Sequence, residues 1–300
     1  MKENTRTLII LHTAVFLAGW TGIFGRLIAL SGLPLVWYRI LVSVVTLFLV
    51  LALTKRLHRV ARPALLRIAA CGILLALHWV CFYVSIQASN VSVGVACIAT
   101  TCFFTTLFDP LINRSKRFSW PEILISFISI AGVLLIFSLD VRYRLGIAFG
   151  LLSAAIYSVF AILNVNVAER TGEDTPTMLF YELIGGALFL TLCMPLYARL
   201  FPLEPVAPVG VEYLWLLLLG SVFTIVPFLF QLQALRKLNA FTVNLTYNLE
   251  PVYSIAIAAL LFSEQREVGW SFWVGLALIV ISVVLQTRRV TGRVERASNL

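Results

Sequence analysis

The sequence predicts an all-α integral membrane protein, with ten transmembrane helices arranged as two inverted five-helix repeats. Three observations carry that prediction. Of the 300 residues, 60% are hydrophobic and 12% charged, with a mean hydropathy of +0.96. A soluble domain sits nearer roughly 45–50% apolar and about 25% charged. Apolar runs of bilayer-spanning length recur along the whole chain. The chain also repeats itself, since Trp120 to Leu135 (WPEILISFISIAGVLL) matches Trp270 to Leu285 (WSFWVGLALIVISVVL).

In chain order the spans are 7–30, 34–53, 64–88, 91–112, 119–139, 145–167, 176–199, 211–235, 240–262 and 269–287. The first is too long, and its cleavage pattern too weak, for a removable signal peptide. Pro63, Pro121 and Pro176 stand at helix starts, where proline is tolerated. Gly146 and Gly150 form a GxxxG motif that opens the sixth span and allows close internal packing. The ninth span, within Asn239–Ser263, carries Asn244, Tyr247, Asn248 and Glu250 in its middle, followed by Pro251. A carboxylate at bilayer depth costs about 2.5–3.5 kcal/mol on insertion scales and faces protein or water. The proline removes a backbone donor beside it. Asn244, Tyr247 and Asn248 are spaced i, i+3, i+4 and share one helix face. The connections are short and leave no room for a soluble domain. The tail after Gln286 is basic.

Charge sets the orientation. With a cytoplasmic N-terminus, seventeen of the 23 Lys and Arg residues fall on the inside and four outside; Arg26 and Arg39 lie within spans. This places both termini in the cytoplasm. It also explains the net charge of +9 without nucleic acid. The match of Trp120 to Trp270 continues upstream: Ser92 falls on Thr242, Pro34 on Pro176, and Tyr38-Arg39 on Tyr181-Glu182. Residues 1–140 and 141–300 are thus two repeats. Five spans per repeat force the second into the opposite orientation. Arg114-Ser-Lys-Arg117 aligns with Glu264-Gln-Arg-Glu267, basic where the loop is inside and acidic where it is outside. Inverted halves around a midplane site are the architecture of secondary transporters.

Candidate site residues are the polar and aromatic groups at depth. Arg39 and Glu182 lie about five and six residues into the second and seventh spans, at opposite depths, so they are not expected to pair. Arg39 either snorkels to headgroups or orients an anionic group such as a carboxylate. Glu182 is a cavity group or a structural partner. Glu250 is a proton-coupling carboxylate, a counter-charge for a cationic substrate, or an acceptor at the proline break. His78 either packs between helices or relays protons. Trp20, Trp79, Tyr83, Tyr157 and Tyr181 are cavity candidates, suited to apolar groups or organic cations. Asn164, Gln231, Asn244, Tyr247 and Asn248 add groups that fix orientation. The five cysteines lie in apolar segments without a CxxC pair, so neither a metal site nor a disulfide framework is expected.

The pattern Leu249-Glu-Pro-Val-Tyr-Ser254, then Glu264, then a small-residue-rich last helix resembles the EamA-domain family of the drug/metabolite transporter superfamily. Arg39 early in the second span and Leu77-His-Trp-Val-Cys-Phe-Tyr83 extend the resemblance across nearly the whole chain. It implies a multi-pass carrier of the cell (inner) membrane that moves small metabolites. Its central cavity would be formed by spans 1–4 and 6–9. Partners are then a small-molecule substrate, the lipid bilayer and a coupling proton, with no cofactor, in a monomer or weak homodimer. The departure is Thr100-Thr101-Cys102, where the family commonly has a proline. The expected activity is export of amino acids or related metabolites. The alternative is uptake of a small organic cation or other metabolite. The chain contains no HExxH, GxSxG or Walker loop, so an enzyme and internal ATP drive are not expected, and the internal pseudo-symmetry argues against a channel.

Overall fold

Lipid leaves backbone N–H and C=O groups no solvent partner, so spanning segments satisfy them internally as helices. The computed structural model describes residues 2–114, 120–139, 143–235, 246, 247, 249–266 and 268–298, and among these it is helical with no strand. The helices are α1 Lys2–Gly19, α2 Thr21–Leu27, α3 Gly32–Leu53, α4 Arg62–Gln87, α5 Val91–Ile98, α6 Thr101–Ile112, α7 Trp120–Leu139, α8 Arg144–Thr171 and α9 Thr175–Leu200. They continue with α10 Glu212–Ser221, α11 Ile225–Leu235, α12 Glu250–Phe262, a 3-10 turn Glu264–Arg266, and α13 Trp270–Ser298. Seven stretches are long and apolar enough to cross a membrane, from Arg6–Leu27 to Glu212–Gln231. Shorter apolar helices lie in α7, α12 and α13.

Three stretches expected as single spans are each two helices, and each break has a chemical cause. Between α5 and α6, the Thr100 and Thr101 hydroxyls donate to the carbonyls of Cys97 and Ile98, both at 2.6 Å, competing with helix continuation. Between α10 and α11, Pro227 has no N–H for the carbonyl four residues earlier. There the Thr224 hydroxyl donates to the Leu219 carbonyl at 2.6 Å, and the Phe223 N–H reaches Leu218. Between α1 and α2, at Trp20, the Gly19 carbonyl accepts from the Ser254 hydroxyl of α12. The α12 helix itself starts at Glu250, with Pro251 in its first turn.

α4 is the axis of the packing and runs along both α8 and α9. α3 packs on α9 and α10, α1 on α11 and α12, and α7 lies along α13. The glycines of the GxxxG motif face inward. A Cβ on Gly150 would stand 2.6 Å from the Cys97 Cβ, and one on Gly146 would stand 2.8 Å from the Ser85 carbonyl. Leu188, Leu192 and Leu196 form an exposed i, i+4, i+8 stripe on α9, an apolar face suited to lipid.

The α4–α9 crossing is closest at Gly72, where an added Cβ would fall on the backbone carbonyl of Glu182. Backbone cannot yield as a flexible side chain does. Gly72→Ala is expected to force the helices apart and cost about 1–3 kcal/mol, read as a lower thermal midpoint of the purified protein in detergent. Gly269→Ala, with its nearest neighbour at 3.8 Å, is the matched control and leaves that midpoint in place.

The α3–α4 and α8–α9 connections are tied together. His58 Nε2 lies 2.8 Å from Glu173 Oε2, and the Tyr181 hydroxyl donates to the His58 carbonyl at 2.9 Å. The hydrogen bond to Glu173, followed by that to the Arg56 carbonyl, raises the His58 pKa above its ordinary value.

Candidate functional site

Arg39, two turns into α3, is 4% exposed. A guanidinium at that depth needs its N–H groups occupied. Its Nε donates to the Thr224 hydroxyl at the α10–α11 break (3.1 Å), and Nη1 donates to the Tyr83 hydroxyl of α4 (3.0 Å). Its face lies 3.9 Å from the centre of the Trp79 ring, a cation–π contact of about 2 kcal/mol when desolvated. Tyr83 in turn donates to the Thr21 carbonyl at 3.2 Å. The cation is thus held by α4 and the α10–α11 break, with α2 behind Tyr83, all through neutral groups. No carboxylate of a described residue lies within ion-pair distance of it.

Glu250 opens α12, at the helix end whose dipole favours an anion. Its half-buried carboxylate lies within electrostatic reach of Arg39, Tyr157 and Tyr247. It makes no hydrogen bond or ion pair with a described residue. A positive and a negative group therefore share one interior region without closing on each other.

Aromatic rings surround that region. Tyr157 keeps 36% of its surface open and stands beside the His78 ring, within electrostatic reach of Glu250. The half-buried Trp20 ring is 5.8 Å from Phe223, the residue next to Thr224. Tyr247, also half-buried, donates to the Pro227 carbonyl at 3.4 Å. Gln231 is half-buried one turn further along α11.

His78 stands beside Tyr157 and within electrostatic reach of Arg39, while Tyr181 and Glu182 are placed elsewhere. His78 clamps α4 to α8: its Nδ1 lies 3.0 Å from the Ser153 carbonyl, and the Ser153 hydroxyl donates to the His78 carbonyl at 2.8 Å. Its ring stands 4.7 Å from that of Tyr157. Tyr181 is joined to the α3–α4 connection rather than to Arg39. Glu182 is buried beside α8, where the Asn164 amide donates to it. Asn244 and Asn248 lie outside the described residues. Thr224 and the Thr21 carbonyl are site groups absent from the sequence-based candidates. A hydroxyl three residues before a proline in an apolar run is the signal that marks Thr224.

The sequence profile of the EamA-like transporter family matches residues 5–138 and again residues 144–288. The chain belongs to the EamA-like transporter family. It is therefore a multi-pass membrane transporter of the drug/metabolite transporter type. Both matched segments of this EamA-like transporter supply the candidate site: Arg39, Trp79 and Tyr83 lie in the first, and Tyr157, Thr224, Tyr247 and Glu250 in the second. A crystal structure titled only as that of a protein shares the fold. It has a TM-score of 0.61 at 17% identity, covering 94% of this chain and 98% of its own. No curated protein sequence matches.

Proposed function

We propose that this EamA-like protein is a secondary carrier that exports amino acids or closely related zwitterionic metabolites by alternating access. In this reading ten spans form two inverted repeats, residues 1–140 and 141–300, in the cell (inner) membrane with both termini cytoplasmic. The charge asymmetry of the connections supports that orientation. The repeated pattern and the broken helices beside the site support the inverted architecture.

The observation that carries the substrate class is the pairing of Arg39 with Glu250 in one region without an ion pair between them. Arg39 has N–H groups that donate to no partner among the described residues and suit a substrate carboxylate. Glu250 suits the ammonium, and the aromatic rings accept the side chain. A wholly cationic substrate would gain the rings and Glu250 but meet the Arg39 charge at close range. Coupling to a proton is assigned to Glu250.

A thermal-shift screen of the purified protein tests this reading. A bound ligand at one hundred times its dissociation constant stabilises the native state by about 2.7 kcal/mol. Zwitterionic amino acids are expected to raise the midpoint, and choline and simple carboxylic acids are not. Stabilisation by choline alone overturns the assignment.

A further inference from the structure

Glu182 stands apart from the Arg39–Glu250 region, and its surroundings are unusual for a carboxylate. It is 2% exposed, on α9 where that helix crosses α4. Asn164 of α8 donates one amide hydrogen bond to it. From α4 the titratable group facing it is the Cys71 thiol. Tyr181 precedes it on α9 with its hydroxyl on His58. α3 meets α9 nearby through Phe48 and Phe180, whose rings stand 6.3 Å apart. No cationic side chain among the described residues acts on Glu182. The neighbouring packing is apolar, built from Ile68, Val167 and Met178. One neutral amide does not offset the desolvation of a buried charge, whereas a proton does.

Its position lies between the tied α3–α4 and α8–α9 connections and the Arg39–Glu250 region. Glu182 is seven residues into α9, about 10 Å from the helix start at 1.5 Å per residue. The connection at that start is the one tied by His58 and Glu173. In the other direction, Asn164 and Tyr157 share one face of α8, seven residues apart and thus also about 10 Å. Tyr157 is within reach of Glu250.

We propose that Glu182 is a proton-binding site of the carrier, separate from Glu250 and placed between the Arg39–Glu250 region and the connection tied by His58 and Glu173. The carboxylate takes a proton from water, becomes a carboxylic acid that still accepts from Asn164, and returns the proton to water when the α4–α8–α9 crossing opens. This rests on the carrier reading for its purpose, but its test does not depend on the substrate.

Infrared spectra of the purified protein in lipid, titrated with pH, report protonated carboxylic acids through their carbonyl stretch. The expected result is a pH-titrating acid band that survives Glu250→Gln and is lost in Glu182→Gln. A band unchanged by Glu182→Gln, or one that does not titrate, overturns the proposal. Should Glu182→Gln fail to fold, Asn164→Leu keeps the carboxyl and removes its donor. That variant is expected to shift the pH at which the band titrates, and an unshifted band overturns the proposal equally.

Discussion

Arg39→Ala is expected to lower amino-acid flux into proteoliposomes about 10- to 100-fold at sub-saturating substrate while the protein stays folded. The magnitude follows from the loss of charge-assisted hydrogen bonds to a substrate carboxylate, about 1.5–3 kcal/mol, at about 1.4 kcal/mol per factor of ten. Folding is spared because the substitution removes a buried charge that pairs with no carboxylate among the described residues. What it leaves behind are the Thr224 and Tyr83 hydroxyls, and both keep a bond of their own, to the carbonyls of Leu219 and Thr21. Arg39→Lys retains the charge but loses the planar fork that reaches Thr224 and Tyr83 together and lies flat on Trp79. It is expected to fall between wild type and alanine. Flux through Arg39→Ala equal to wild type, at equal protein incorporation, removes Arg39 from substrate binding.

Much of this site is legible in the sequence because charge is rare in an apolar chain. Arg39 and Glu250 stand out as single ionisable residues inside spans, and the structure brings them into one region. Trp79 and Tyr83 lie four apart on α4, so one helix face delivers both to the guanidinium. The hydroxyls are not legible. Serine and threonine are frequent in membrane helices, and a contact such as Arg39 to Thr224 joins positions 185 apart, which no local period encodes. The helix breaks are half legible. Pro251 marks the start of α12, and Pro227 is a comparable mark that the expected eighth span runs straight through, while the Trp20 break carries no proline. His78 shows the same limit from the other side. Its reciprocal bond with Ser153 is a matter of how α4 lies on α8, which the residues of α4 alone do not disclose.

Glu264→Ala is expected to destabilise the fold by about 3–5 kcal/mol, more than Gly72→Ala or Arg39→Ala. Glu264 is fully buried in the 3-10 turn after α12. Its Oε1 accepts from Arg26 Nη1 at 2.7 Å and from the Val91 N–H at 3.0 Å. Its Oε2 accepts from the Ser92 N–H at 2.9 Å and from the Ser92 hydroxyl at 2.6 Å. The carboxylate thus sits on the N-terminus of α5, where the helix dipole adds to the attraction, and joins α2, α5 and α12 at one point. Alanine leaves two buried N–H donors without an acceptor and the Arg26 charge without this partner. Glutamine is the sharper test, because it matches the volume. It offers a single oxygen, and its NH2 group would confront donors already pointing inward. Glu264→Gln is therefore expected to lose most of what Glu264→Ala loses, read as the thermal midpoint of the purified protein. A near-native midpoint for Glu264→Gln would show that shape rather than the paired acceptors holds this junction.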